Sequence, residues 1–279
     1  MKPRLLSAAA LAALLAVTAF ATAAFAAPRA ELWPVWERHD PASTATVDHG
    51  AWQAFLGRYV APGPDGVNRF DYAGVTAQDF RSLDAYVLAL QTVRVSQHNR
   101  REQLAYWINL YNALTVKVIL DHMPVESITD VDISPGLFSN GPWDAKLALV
   151  EGHEVSLNDV EHRILRPIWQ DNRVHYAVNC ASVGCPDLAA TAYTAANVEE
   201  MLDKAARDYV NHPRGARFEN GRLVVSSIYS WYEADFGGTD AGVVEHLRRH
   251  AVGELAAKLA GHEGGFAHDY DWSLNAAVE

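Results

Sequence analysis

The chain has 279 residues and 49% of them are hydrophobic, which is enough to bury a large core without help from a metal or a disulfide. Its formal net charge of −11 makes nucleic acid and anionic lipid head groups poor candidate partners. The sequence contains no glycine-rich nucleotide loop and no repeat of 20 to 50 residues. A repeat array is therefore excluded, and no motif for binding a nucleotide is present.

The first 26 residues have the layout of a secretory signal peptide. Lys2 and Arg4 precede an apolar run that ends in the small residues Ala24 and Ala26. We expect cleavage near Ala26 and a mature chain that is periplasmic or secreted, with no transmembrane segment. The alternative interpretation of the same run is an uncleaved membrane anchor.

Helices and strands are intermingled along the rest of the chain, so we expect one α+β domain. In this fold, a long buried central helix packs on a small mixed or antiparallel sheet with peripheral helices. The expected segments are a signal peptide at 1–26, an N-terminal tail at 27–50 that docks on the domain, the domain at 51–260, and a C-terminal tail at 261–279.

Hydrophobic periodicity and turn residues predict the elements of this domain. In chain order they are a helix at 52–59, an extended piece at 68–72, helices at 79–90 and 99–120, a hairpin around 146–155, a helix capped by Ser156, a strand at 173–179, a helix at 197–210, a hairpin at 218–226, and helices at 228–236 and 243–259 with a break at Gly253.

The helix at 99–120 is apolar nearly all the way round, which is typical of a buried helix. It nevertheless carries Glu102, Asn109 and Asn112, and a buried polar group without a partner costs about 1 to 3 kcal/mol. These side chains either tie the helix to the backbone of neighbouring loops or face a pocket and bind a ligand. Both interpretations remain open.

The segment VHYAVNCASVGCPDL contains both cysteines of the chain. In the predicted strand, His175 and Asn179 share one face, which we expect to turn toward the polar residues of the long helix. The turn that follows is rich in small residues and is expected to expose backbone N–H groups that could stabilise an oxyanion. Cys180 as nucleophile, with His175 and Asn179, would supply the residue types of a thiol hydrolase. Ser182 and Cys185 are further candidates for ligand contact.

Three interpretations of Cys180 and Cys185 remain open. In an exported protein, two cysteines so close in sequence favour a disulfide that closes the turn. The second interpretation is a free and functional thiol. The third is a metal site, which is the least supported because the spacing is not that of a zinc knuckle and only His175 stands out as a further ligand. We read His162 as a surface residue and expect neither a metal nor a cofactor.

The motifs EQLAYWINLYNALTVKVIL, SLNDVEHRILRP, VHYAVNCASVGCPDL and SSIYSWYEADFGG occur in this order and resemble the family called domain of unknown function 547. The resemblance covers about residues 52–250. It implies an exported bacterial member of a family that is also found in plants, and it implies no reaction. The motif residues of the family correspond here to Glu102, Trp107, Asn109, Tyr111, Asn112, His175, Asn179, Cys180, Cys185 and Pro186.

Two classes of function follow from these patterns. The first is a hydrolase or acyl transferase that uses Cys180 as its nucleophile. The second is a non-catalytic periplasmic domain that binds a ligand or a partner and is closed by a Cys180–Cys185 disulfide. The expected partner is a small polar molecule or a component of the cell envelope. The aromatic residues at 229–236 are either core or a pocket wall on which a sugar ring would stack.

Overall fold

The computed structural model describes residues 28–136 and 141–277, so the predicted signal peptide and its cleavage site near Ala26 lie outside the described residues. The α-helices of the described residues are α1 (Gly50–Tyr59), α2 (Ala77–Thr92), α3 (Arg100–His122), α4 (Arg166–Trp169), α5 (Val198–Asn211), α6 (Ser227–Trp231), α7 (Asp240–His250) and α8 (Gly253–Ala260). The strands are β1 (Val60–Pro62), β2 (Asn68–Phe70), β3 (Ala148–Val150), β4 (His153–Val155), β5 (Ala216–Glu219), β6 (Arg222–Ser226) and β7 (Ala267–Asp269).

The predicted α+β class is confirmed, with two antiparallel hairpins and one mixed sheet of three strands. In the mixed sheet, β5 pairs antiparallel with β6, and β7 pairs parallel with β6. This sheet packs against α5, α6 and α8, while α3 packs against α2 and α5. Helix α5 therefore joins the long helix to the sheet.

Helix α3 is the centre of the core, as its apolar pattern predicts. Asn99 caps it by accepting the N–H groups of Arg101 and Glu102. Every residue from 102 to 116 is buried. The helix ends at His122, two residues before Pro124, which cannot continue a helix.

Both predicted hairpins are present, and their turns explain why they were predictable. Asn220 and Gly221 connect β5 to β6, and both have positive φ values, of 50° and 79°. This is the backbone conformation that two-residue hairpin turns require, and asparagine and glycine adopt it at the least cost.

The predicted strand at 173–179 is wrong. Residues Asn172–Tyr176 form a 3-10 helix whose first turn is capped by the side chain of Asp171. Residues 174 to 179 are all buried, so their β-branched and aromatic side chains reflect burial on every side rather than the two faces of a strand.

The helix that follows Ser156 contains a π-helical turn at Asp159–Leu165 before it continues as α4. A π-helical turn widens the helix and is frequent at functional sites. It also changes which residues face inward. His162, which we expected on the surface, is 3% exposed, and that prediction is wrong.

The segments at the two ends of the described chain dock on the domain. Trp36 is buried and packs edge to face on Trp107 of α3, with 5.0 Å between ring centroids. Near the other end, Leu274 and Ala276 form β-bridges with Ser182 and Phe70. Among the described residues, no helix combines the length and the apolar character needed to cross a membrane.

Candidate functional site

The polar residues near the start and middle of α3 are bonded to loop backbone. The Glu102 carboxylate accepts the N–H of Val47 at 2.6 Å. The side-chain amide of Asn109 donates to the carbonyl of Tyr193 at 2.7 Å and accepts the N–H of the same residue at 3.1 Å. For these two residues the contacts match the first of the two interpretations, in which they tie the helix to its neighbours.

Asn112 and Asn179 together hold the turn that contains the cysteines. Asn112 donates to the carbonyl of Ala177 at 2.9 Å and accepts the N–H of Asn179 at 2.8 Å. Asn179 in turn donates to the carbonyl of Pro186 at 2.7 Å and accepts the N–H of Ala181 at 2.8 Å. The two amides thus connect the central helix to both ends of the turn.

We expect Asn112→Ala to lower the free energy of unfolding by about 2 to 3 kcal/mol, because it leaves two buried backbone groups without partners. Urea denaturation would measure this loss. Asn172→Ala is the matched control, since the half-buried Asn172 amide makes only a 3.4 Å contact with a backbone carbonyl. A loss for Asn112→Ala no larger than that of the control would contradict the bridging role.

Cys180 and Cys185 lie side by side in this turn as free thiols. Their Sγ atoms are 2.9 Å apart. The Cys180 sulfur is also 3.1 Å from the Ser182 hydroxyl and 3.1 Å from the Tyr270 hydroxyl, and these two hydroxyls are 2.9 Å apart. The structure therefore brings Cys180, Ser182 and Cys185 together and adds Tyr270, which the sequence does not single out.

The surroundings of the two sulfurs separate their pKa values. The hydrogen bond with Cys185, helped by the Ser182 and Tyr270 hydroxyls, outweighs burial and lowers the pKa of Cys180. Burial, and the neighbouring Cys180 sulfur, raise the pKa of Cys185 well above its ordinary value. A thiolate at this pair is therefore carried by Cys180, with Cys185 as the donor of the shared hydrogen bond.

The C-terminal segment runs along the cysteine turn and takes up its backbone donors. The N–H groups of Val183 and Gly184 donate to the carbonyls of Ser273 and Asp271, each at 2.8 Å. A Cβ at Gly184 would lie 2.8 Å from the backbone nitrogen of Asp271, so the segment can approach this closely only because the residue is glycine. Two N–H groups of the turn that were expected as oxyanion donors are thus already paired.

His175 contacts charged side chains instead of the sulfurs. Glu161, Arg166, His175 and Asp235 form a cluster that we call the charged layer. The Nε2 atom of His175 is 2.7 Å from Asp235 Oδ2 and its Nδ1 is 3.4 Å from Glu161 Oε1. Arg166 Nε donates to the same Asp235 oxygen at 2.6 Å. The His175 ring stacks on Tyr232 with 4.2 Å between centroids. Both ring nitrogens therefore face carboxylates.

The pKa shifts of His175, Glu161 and Asp235 all favour the charged forms. Burial alone would lower the pKa of His175, but the hydrogen bonds to Asp235 and Glu161 outweigh it and raise that pKa. Burial alone would raise the pKa of Glu161, yet His162, then His175 and Arg166, hold it at about 2. Hydrogen bonds from His175 and Arg166 likewise hold the pKa of Asp235 well below its usual range. An imidazolium between two carboxylates is the stable state.

Tyr111 lies between the sulfurs and the charged layer. Its hydroxyl donates to Glu161 Oε2 at 3.2 Å. Its pKa is raised well above the ordinary value, first by burial and then by the negative charges of Glu161 and Cys180. The two parts of the site are therefore close enough to interact electrostatically through one buried phenol.

Most residues of this site lie in a part of the chain that matches a known protein family. Residues 95–210 match a family model described as "Protein of unknown function, DUF547". This part of the chain belongs to the DUF547 family. The comparisons with curated proteins and with solved structures found no match. All of the predicted site residues fall inside the DUF547 match: Glu102, Asn109, Asn112, His175, Asn179, Cys180, Ser182 and Cys185.

Four half-buried rings, which we call the aromatic wall, adjoin the cysteine turn: Trp143, Trp231, Tyr270 and Trp272. The last three lie outside the DUF547 match. The Trp272 ring is 5.5 Å from that of Trp231 and 5.8 Å from that of Trp143. Because the Tyr270 hydroxyl touches Cys180, the wall begins at the sulfur.

The sequence does not single out Glu161, Asp235 or Tyr270 as site residues. The π-helical turn hides Glu161, because the inward face no longer follows the 3.6-residue period. Asp235 and Tyr270 come from segments after the DUF547 match. The one available signal is Asp235 itself, an acidic residue among the aromatic residues at 229–236. Within the described residues, no group of three or more His, Cys, Asp or Glu side chains has the arrangement of a metal site.

Proposed function

We propose that the chain is an exported, thiol-dependent enzyme of the hydrolase or acyl-transfer type, with Cys180 as its nucleophile. The observation that carries the proposal is the half-buried Cys180 sulfur, which two hydroxyls and a second thiol surround at 2.9 to 3.1 Å. Export rests on the signal-like sequence of the first 26 residues, and a location in the periplasm or outside the cell follows from it.

The roles of the neighbouring groups follow from their contacts. Hydrogen-bond donors around the sulfur stabilise a thiolate, which is the reactive form of cysteine. The Tyr270 and Ser182 hydroxyls lie where they could donate to a developing oxyanion or to a leaving group. His175 and Asn179 act as positioning residues, since His175 is paired with carboxylates and Asn179 holds the turn.

The substrate class follows from the walls of the site. The aromatic wall brings a cluster of half-buried rings next to the sulfur, and aromatic rings are suited to contact flat or ring-shaped groups. The acidic charge of the chain argues against nucleic acid. We therefore propose that the substrate is a small polar molecule, or a component of the cell envelope, that carries an acyl group.

The reactivity of the thiols tests this proposal. With reduced protein near neutral pH, iodoacetamide is expected to modify one cysteine quickly, and Cys180→Ser is expected to remove the fast phase. Tyr270→Phe should slow the fast phase by up to about tenfold, the equivalent of one pKa unit, because it removes a hydrogen bond to the thiolate. Mass spectrometry of quenched samples measures both rates.

Cys185→Ser is the matched control, and the fast phase should survive in it because the serine hydroxyl can still donate a hydrogen bond to the Cys180 sulfur. A fast phase that remains in Cys180→Ser would overturn the assignment of the nucleophile.

A non-catalytic domain that binds a ligand or a partner is the second candidate. It is favoured by the polar residues of α3, which are bonded to backbone, and by the proximity of the two sulfurs, which suits a Cys180–Cys185 disulfide. Thiol counting on protein taken directly from its native compartment separates the two candidates. Two free thiols support the enzyme, whereas a Cys180–Cys185 disulfide that a mild thiol reductant does not open would support the closed binding domain.

A further inference from the structure

The two thiols differ in access although they touch. Cys180 is half-buried, whereas Cys185 is 4% exposed. The Cys185 sulfur accepts the N–H of Cys180 at 3.0 Å and lies 3.9 Å from the carbonyl of Val178. Cys180 is therefore the more accessible of the two residues, while the Cys185 sulfur is positioned to meet whatever forms on the Cys180 sulfur.

Their chemical environments differ in the same sense. Hydroxyl donors surround Cys180, and its pKa is lowered, while burial and the Cys180 sulfur raise the pKa of Cys185. Complete reduction of a disulfide by a dithiol needs one thiolate that attacks first and a second thiol that then resolves the mixed disulfide. Hydrolysis by Cys180 gives no role to a second cysteine at 2.9 Å, so this neighbour calls for another explanation.

We propose that Cys180 and Cys185 form a dithiol that exchanges with a low-molecular-weight disulfide, with Cys180 as the attacking thiol and Cys185 as the resolving thiol. The proposal goes beyond acyl transfer and rests on the same reactive Cys180. The half-buried position of that sulfur under the Tyr270 hydroxyl favours a small disulfide over a disulfide within a folded protein.

The exchange takes place in two displacements that balance. The Cys180 thiolate attacks one sulfur of the disulfide R–S–S–R, a mixed disulfide Cys180–S–S–R forms, and one thiolate R–S⁻ leaves. Cys185 then loses its proton to the departing thiolate or to solvent and attacks the Cys180 sulfur. The internal disulfide forms and the second R–S⁻ leaves. Two protein thiols are oxidised and one external disulfide is reduced to two thiols.

One consequence is regulatory. The internal disulfide contains the sulfur that would attack an acyl group, so the oxidised protein has no nucleophile. Acyl chemistry at Cys180 is therefore available only while the dithiol is reduced. The external pool of thiols and disulfides would set the fraction of protein that is active.

Glutathione disulfide is a suitable probe. Reduced wild-type protein is mixed with it at neutral pH, and samples are quenched with acid at intervals. Mass spectrometry then measures the mass of the intact protein. The wild type is expected to lose two hydrogen atoms and to keep no lasting adduct. Cys185→Ser is expected to accumulate a stable adduct with one glutathione. Cys180→Ser is expected to react at least about tenfold more slowly, because its remaining thiol is buried and its pKa is raised.

The outcomes separate this proposal from the proposed function. A lasting glutathione adduct on the wild type would show that Cys185 does not resolve it, and the dithiol proposal would fail while fast alkylation of Cys180 still supported the nucleophile. A wild type that neither loses two hydrogen atoms nor gains an adduct would remove the dithiol proposal, and the absence of fast alkylation at Cys180 as well would remove both proposals. The wild-type measurement needs no substitution, so it holds even if a serine variant does not fold.

Discussion

Asp235→Ala is expected to lower the free energy of unfolding by about 3 to 5 kcal/mol, the cost of leaving a buried charge without its partner. Asp235 Oδ2 binds both Arg166, at 2.6 Å, and His175, at 2.7 Å. The side chains of these two residues are 5% and 1% exposed, so water cannot replace the lost carboxylate. Urea denaturation near pH 6, where both partners are charged, would measure the loss.

The matched control is Asp208→Ala. Asp208 pairs with Lys204 one helical turn away on α5, and both side chains are more than half exposed. An exposed pair of this kind contributes at most about 0.5 kcal/mol. Equal losses in the two variants would show that the charged layer does not hold the fold together.

A second large effect is expected from acid. Burial lowers the pKa values of three histidines from their ordinary value of 6.5, to about 4 for His49, about 4 for His162 and about 3 for His246. Their neutral forms stabilise the fold fully above pH 6.5, and this contribution is lost as the pH falls toward 4. In that range each histidine should lower the free energy of unfolding by about 1.4 kcal/mol for each unit by which the pH falls.

The stability contributions of His175, Glu161 and Asp235, in the charged layer, depend on pH differently from those of these three histidines. The raised pKa of His175 gives a contribution that is full below pH 6.5 and lost only as the pH rises through the folded value, so it stays constant between pH 6.5 and 4 and does not offset the three histidines. The lowered pKa values of Glu161 and Asp235 give contributions that are lost only below about pH 4.5. The free energy of unfolding should therefore fall by several kcal/mol between pH 6.5 and 4.

His246→Gln tests one member of the set. His246 is 2% exposed, and its Nε2 is 2.6 Å from the Tyr176 hydroxyl, a contact that a glutamine amide can imitate. The variant should show a shallower fall of the free energy of unfolding with acid, by about 1.4 kcal/mol per pH unit. His39→Gln, at an exposed position, should leave the slope unchanged. A slope for His246→Gln that equals the wild-type slope would contradict the prediction.

Much of the fold could be predicted because its signals are local. The apolar sequence of α3, its Asn99 cap and the proline beyond its end mark the helix from the chain alone. Asn220 and Gly221 mark the hairpin in the same way. The segment at 173–179 misled the prediction because its cause is not local. Arg173 forms a hydrogen bond with Asp203 on α5 at 2.7 Å. The side chains at 174–179 are buried on all sides, so they do not alternate between buried and exposed as those of a strand with one exposed face would.

The same distinction between local and distant signals applies to the site. The residues that hold and carry the sulfurs lie within the DUF547 match and stand out as polar or reactive groups in an apolar setting. The partners that set their chemistry come from much later in the chain. Asp235 lies 60 residues after His175, and Tyr270 lies 90 residues after Cys180. No spacing rule connects positions so far apart, so only the folded structure brings them together.

The contact between the C-terminal segment and the cysteine turn also sets an order of events during synthesis. A chain is made from its N-terminus, so both cysteines emerge long before the residues that cover them. Until Tyr270 has been added and has docked, Cys180 lacks one of the hydroxyls that distinguish it from Cys185. A nascent chain that meets an oxidant in this interval would present two thiols that differ less than they do in the folded protein. The difference between them is therefore complete only when the segment that carries Tyr270 has been made and has docked.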